Sequence, residues 1–371
     1  TAIKKLILMR NKAAKERMTQ LEAYDAFILR KKIILVVFFI AMIVVALFAI
    51  SKGSLEITIP EVIKSFFGQS TTQNQYAVMR IRLPRVITAI VVGASLAVSG
   101  AVMQCVLQNP LASASTLGVS QGAAFGAALG IIVFGGGVVN SNAAATAMTI
   151  NNPYIVTICA FVFGLLTTVV ILTLSRFRKD LGPSALILAG VALSSLFSGG
   201  SALLQYFADE TKISSVVFWT FGNLGSTRWP EILLLAIIFF AALVYFMLNR
   251  WNYNALQSGA DTAKSLGVDA RTVMLVSMGI CSLAAAVAVS FVGIISFVGL
   301  VAPHIMRRFV GNDYRYLIPG SAIAGGLLLI LADTFARLII SPVILPIGAI
   351  TSFLGAPLFL YLLFKEGKKN G

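Results

Sequence analysis

Apolar runs of about twenty residues recur along almost the whole chain, divided by short polar interruptions. That is the length at which a helix crosses the hydrocarbon core of a bilayer, and only helices and closed barrels keep every backbone group bonded there. The runs predict an all-α integral membrane fold of about ten transmembrane helices, over 33–50, 83–107, 113–134, 153–175, 182–207, 231–248, 272–291, 294–310, 316–340 and 345–364. No segment between them has room for a soluble domain. Only 12% of residues are charged, where soluble domains carry about a quarter.

The formal charge of +15 raises nucleic acid as a partner, and the placement of the basic residues removes it. With the first span leaving the cytoplasm and the rest alternating, 21 of the 29 Lys and Arg fall on the inner side and 8 on the outer. This is the positive-inside bias, and it puts both termini in the cytoplasm. The expected organisation is a basic cytoplasmic tail over 1–32, a ten-helix domain over 33–365 with a cytoplasmic loop at 250–271, and a short tail over 366–371. About 32 residues precede the first span without a small-x-small cleavage site after it, so that span is expected to be retained. The 1–32 tail mixes apolar and basic residues at helical spacing, as an interfacial helix would. Pro60-Glu61 in the outer loop marks a helix start.

Catalytic and ion-coupling chemistry is hard to place. Of 14 Asp and Glu, only Asp333 falls clearly within a span, and Arg337 follows at the helical i, i+4 spacing of an ion pair. A proton-coupled secondary carrier, the alternative from another class, needs ionisable groups along the membrane interior. His304 is the sole histidine and has no partners for a metal site; Cys105, Cys159 and Cys281 lie apart in apolar stretches and read as core residues. Gly259-Ala260-Asp261-Thr262-Ala263-Lys264-Ser265 has Ala263 where a phosphate-binding loop needs glycine. The expectation is a chain with no catalytic residues, no metal site and no cofactor of its own. If ATP drives it, ATP and Mg are bound by a partner.

Small residues form stripes, Gly93 to Gly100 and Ser120 to Gly130, of the kind that lets membrane helices approach closely. The first lies within a longer series: Arg82-Leu83-Pro84-Arg85, Gly93-Ala94-Ser95-Leu96-Ala97-Val98-Ser99-Gly100-Ala101-Val102-Met103-Gln104, Gln108-Asn109-Pro110-Leu111-Ala112 and Leu117-Gly118-Val119-Ser120-Gln121-Gly122-Ala123. Further on come Ala263-Lys264-Ser265-Leu266-Gly267-Val268, then Phe297 to Arg308 containing Pro303-His304, then Leu331-Ala332-Asp333, Leu345-Pro346-Ile347-Gly348 and Gly355-Ala356-Pro357-Leu358-Phe359. In this order the motifs resemble the FecCD/BtuC family of binding-protein-dependent ABC importer permeases, over about residues 80–365.

The resemblance implies a BtuC-like, type II ABC importer permease fold in the cytoplasmic membrane of a bacterium. Its partners would be a second permease subunit, identical or related, two cytoplasmic ATPase subunits and an extracellular solute-binding protein. The cargo would be a ferric siderophore, with haem or cobalamin as alternatives. It further implies binding-protein docking by Arg82, Arg85 and Arg337, a cytoplasmic gate at Asn109 and Leu111, and ATPase coupling through Gly259, Leu266 and Gly267. Ser194, Ser195 and Ser198 are candidates for a weakly binding translocation path. Ser113-Ala114-Ser115 departs from the acidic residue and proline that the family often has there.

Overall fold

The computed structural model describes residues 2–53, 55–136, 152–178, 182–340 and 343–367, with side chains described outside 2–23, 153 and 362–367. Helices α1 (Ala2–Ser51), α2 (Ile59–Phe66) and α3 (Thr72–Tyr76) are followed by a π-helical turn (Ala77–Arg82) that runs into α4 (Leu83–Val106). Then come α5 (Val119–Ile132), α6 (Pro153–Phe177), α7 (Pro183–Tyr206), α8 (Glu210–Thr220) and α9 (Trp229–Leu248). The chain continues with α10 (Arg250–Gln257), α11 (Ala260–Ser265), α12 (Ala270–Val292), α13 (Val298–Val310), α14 (Tyr314–Leu338) and α15 (Ile347–Gly367). Among the described residues there is no strand.

Each expected span has a helix, but they are not equally long. Seven are long and apolar enough to cross a membrane: α1 from Tyr24, α3 through α4 as one unit, α6, α7, α9, α12 and α14. Of the other three, α15 is apolar over Ile347–Tyr361, as far as its side chains are described, and α5 and α13 are shorter and correct the expected bounds. The span expected over 113–134 is a 14-residue helix, about 21 Å long against about 30 Å of hydrocarbon. Its first residues are held out of the helix by side-chain bonds to backbone: Ser113 N donates to Thr116 Oγ1 at 2.8 Å and Thr116 N to Ser113 Oγ at 3.2 Å. The span expected over 294–310 keeps 13 residues as helix. The apolar residues before it run irregularly against two neighbouring loops, where Asn223 N donates to Val292 O at 2.7 Å and Gly348 N to Phe221 O at 2.9 Å.

The 1–32 tail continues into the first span as one backbone helix, α1; its side chains up to residue 23, on which an amphipathic reading depends, lie outside the described residues. So does the end of the 366–371 tail, from residue 368. The helix marked by Pro60 is α2, started where Thr58 N donates to Glu61 Oε2 at 2.9 Å. Helix α8, in a segment read as loop, was not expected.

Helix α4 is the axis of the bundle. It is buried almost throughout, and α14, α12, α13 and α9 pack around it. The small-residue stripe explains how: a methyl group on Gly93 would overlap the Gly325 carbonyl of α14, and one on Gly100 would overlap that of Gly299. Backbones this close gain packing that lipid cannot supply. Helix α5 packs in the same way on α6, with Gly126 against the Cys159 carbonyl, and it also meets α7 and α8. Much of α7, by contrast, is left open among the described residues.

Candidate functional site

Two ends of the bundle carry the polar architecture. At the basic end, α10 follows α9 directly and is pinned from four sides. Tyr253 is fully buried, and its hydroxyl lies 2.9 Å from Ser277 Oγ on α12. Cys105 Sγ, on the last turn of α4, donates to the Tyr253 carbonyl at 3.4 Å. Asn254 Nδ2 donates to Asp313 Oδ1 at 3.1 Å while its Oδ1 accepts from Tyr314 N at 2.9 Å. Gln257 Nε2 donates to Asn312 O at 2.7 Å. Asp313 is partly buried, which would raise its pKa, but Arg315 and Asn254 hold it below the ordinary carboxylate value.

From α10 the chain turns at Gly259 into α11, whose Ala263 is buried, and turns again at Gly267. The two glycines have φ of +102° and +81°, with open space where a side chain would stand; they are needed for backbone conformation and not for room. Between them Leu266 is 67% exposed at the tip of the unit. Asp269 then starts α12, accepting from Thr272 Oγ1 at 2.6 Å and from the Arg271 and Thr272 amides at 3.1 Å. These bonds, the Thr272 hydroxyl first, depress its pKa.

Beside α10 lies the turn that ends α4. Asn109 Oδ1 accepts from Leu111 N at 2.8 Å, closing a local side-chain turn around Pro110. Asn109 is half-buried and Leu111 is 45% exposed. Gln108 precedes them with φ +47°, one of few positive values outside glycine among the described residues. Its Nε2 donates to Cys105 O at 2.6 Å and to Leu256 O of α10 at 3.1 Å. Asn109 and Leu111, expected at a gate, and Gly259, Leu266 and Gly267, expected to couple to an ATPase, are thus at the same end. Gln108, to which the sequence reading gave no role, bonds the turn of the first pair to α10, which leads into the second set. Its signal was slight: an amide beside a helix-ending Asn-Pro.

The opposite end gathers Arg82, Arg85 and Arg337, but folded inward. Arg82 is 7% exposed and donates to the carbonyls of Ile50 and Ser51 at 2.8 Å and of Leu55 at 2.5 Å. Asp333, 1% exposed, sits between the other two: Arg85 reaches it at 2.9 Å from Nε and 2.8 Å from Nη2, and Arg337 Nε at 3.0 Å. Arg337 also donates to Lys52 O at 3.2 Å and Ala49 O at 3.1 Å. The pair expected from the 333/337 spacing is present and Arg85 makes it a triad, so each of the three arginines is engaged within the chain. Docking by these arginines would have to work through side chains already bonded within the chain.

Of the α7 serines, Ser195 and Ser198 lie on its open face, while Ser194 is half-buried against Gly118 at the start of α5. Ser194 Oγ donates to Gly190 O at 2.8 Å and Ser195 Oγ to Val191 O at 3.1 Å; Ser195 and Ser198 are exposed. Back-bonded hydroxyls offer a mild polarity, and apolar Leu188, Leu196 and Leu203 share the exposed surface. A cavity of about 780 Å³ bounded by α1, α13, α14 and α15 is walled by apolar groups such as Phe48, Phe297, Leu331 and Leu354 and offers a polar solute little. Among the described residues no three His, Cys, Asp or Glu gather as a metal set. His304 is buried with its ring edge-on to Phe359, and Cys105 and Cys281 are buried thiols.

Comparison with known proteins gives this geometry a context. The model of the FecCD transport family matches residues 40–365. A candidate ABC transporter permease of Methanocaldococcus jannaschii is 48% identical over 94% of this chain and 99% of its own. The hemin transport system permease of Yersinia pestis is 33% identical over 89% and 95%. A solved inward-facing conformation of a candidate metal-chelate type ABC transporter superposes with a TM-score of 0.77 at 31% identity, over 90% of this chain and 99% of the other.

Proposed function

This chain is a member of the FecCD transport family, and from that premise we propose that it forms the path by which a ferric siderophore enters the cell. It is the permease component of an ABC importer. The observation that carries the transport reading is the basic end, where an exposed Leu266 caps a two-helix unit whose first helix is bonded through Leu256 to Gln108 beside the Asn109-Pro110-Leu111 turn. A cytoplasmic ATPase pair seated on Leu266, Gly259 and Gly267 would move that unit. Two nucleotide states favouring two arrangements would open the turn in one and close it in the other.

In this reading the basic end is cytoplasmic, as the positive-inside bias demands, and both termini lie there in the cytoplasmic membrane. The open face of α7, with Ser194, Ser195 and Ser198, meets a second permease subunit, and the solute passes between them. An extracellular binding protein delivers cargo to the opposite end. The Arg85–Asp333–Arg337 triad and Arg82 shape that surface, and two guanidinium charges on one carboxylate leave it positive for an acidic partner. ATP and Mg belong to the ATPase subunits.

Metal-chelate cargo is supported by the description of the solved relative; the hemin permease supports haem as a second reading. The test is uptake by proteoliposomes carrying this permease with the ATPase and binding protein encoded beside it. ATP-dependent uptake of iron-55 ferrichrome or another ferric siderophore is expected. Uptake of hemin or cobalamin alone would replace the cargo, and ATP-independent uptake on a proton gradient would replace the mechanism.

A further inference from the structure

We infer that Gln108 is a positioning residue, the tie through which movement of α10 reaches the inner gate turn; the inference rests on the permease reading above. Three observations converge on it. The residue sits in the left-handed region at φ +47°, a conformation that L-residues other than Asn and Asp seldom adopt. That conformation turns the chain from the end of α4 into the Asn109-Pro110-Leu111 turn and directs the amide back across the helix end. The same Nε2 is shared by the last turn of α4, at Cys105 O, and the last turn of α10, at Leu256 O, at 2.6 and 3.1 Å.

Helix α10 is itself a crossbar. Its far side is fastened to the loop between α13 and α14 by Asn254 and Gln257, through Asp313, Tyr314 and Asn312. A partner that displaces Leu266 therefore moves a body fastened at several points, one of them the residue next to the expected gate. Tyr253 and Cys105 make a second link between α10 and α4, but it lies inside the bundle, one turn before the gate. Gln108 alone among these groups is continuous with the turn that must change shape.

The experiment uses the assembled complex with its ATPase subunits in nanodiscs and a reporter cysteine, L111C, labelled with a membrane-impermeant maleimide. In this parent the labelling rate should change by about fivefold or more between nucleotide-free and ATP–vanadate-trapped complexes, the usual size of a coupled response. Gln108→Asn accepts a positive φ but falls one methylene short of Leu256, and Gln108→Gly accepts it with no side chain. Either should bring the ratio toward one while the complex continues to hydrolyse ATP. Gln108→Lys restores a donor of similar reach and should recover the nucleotide dependence.

A parental ratio in both short variants overturns the proposal. So does equal loss in the lysine variant, which would assign the effect to the backbone turn. A parent complex that labels alike in both nucleotide states defeats the permease reading itself, and that failure is seen before any Gln108 variant is read.

Discussion

Asp333 compensates two buried guanidinium groups at once, so its removal strands more charge than it deletes. Asp333→Ala is expected to destabilise the fold by about 3 kcal/mol, the range seen when one partner of a buried pair is lost. Thermal or denaturant unfolding in detergent measures it. Replacing all three members with apolar residues of similar size should cost less than the single change, because no lone charge is left. Half of this arrangement was legible: residues 333 and 337 are four apart on one helix, and that spacing brings their side chains together. Arg85 was not, since 248 residues separate it from Asp333 and no local pattern reports such a contact. The same distance hid the inward turn of Arg82, whose acceptors are carbonyls 27 to 32 residues earlier.

At the scale of elements, the coupling unit shows where periodicity stops being informative. The segment 250–271 was readable as a cytoplasmic loop. Helices of eight and six residues are too short to persist alone; burial of Tyr253, Leu256 and Ala263 holds these in place. Leu266→Asp should leave the permease folded, because the side chain is already exposed, while capture of the ATPase subunits in a pull-down falls at least about tenfold, the loss of a 1.4 kcal/mol contact. Unchanged capture would remove Leu266 from the interface. Helices α5 and α13 teach the converse. Apolar residues precede their first turns, so hydropathy alone overruns into 113–118, where hydroxyl-to-backbone bonds hold the chain out of the helix, and into 294–297, which runs irregularly against the 221–223 and 348 segments.

For the molecule as a whole, sidedness is the property on which every role depends. Cysteine placed at Lys64, in the first loop, and at Lys264, on α11, should be labelled by an impermeant maleimide from opposite sides of intact cells or spheroplasts, Lys64→Cys from outside and Lys264→Cys only after permeabilisation. Labelling of both from one side would break the topology. The sequence by itself determined the solvent, the approximate order of helices, the polarity of the basic residues and the family. These follow from transfer of side chains into lipid and from motifs contiguous in the chain, and neither needs the fold to be known. Only the tertiary structure decided which arginines are engaged and where α5 and α13 begin. It also decided that the Gln108 amide reaches the Leu256 carbonyl of α10. Each of those outcomes is a polar group finding its partner, and for the arginines and Gln108 that partner lies on an element that only the packing of the fold brings within reach.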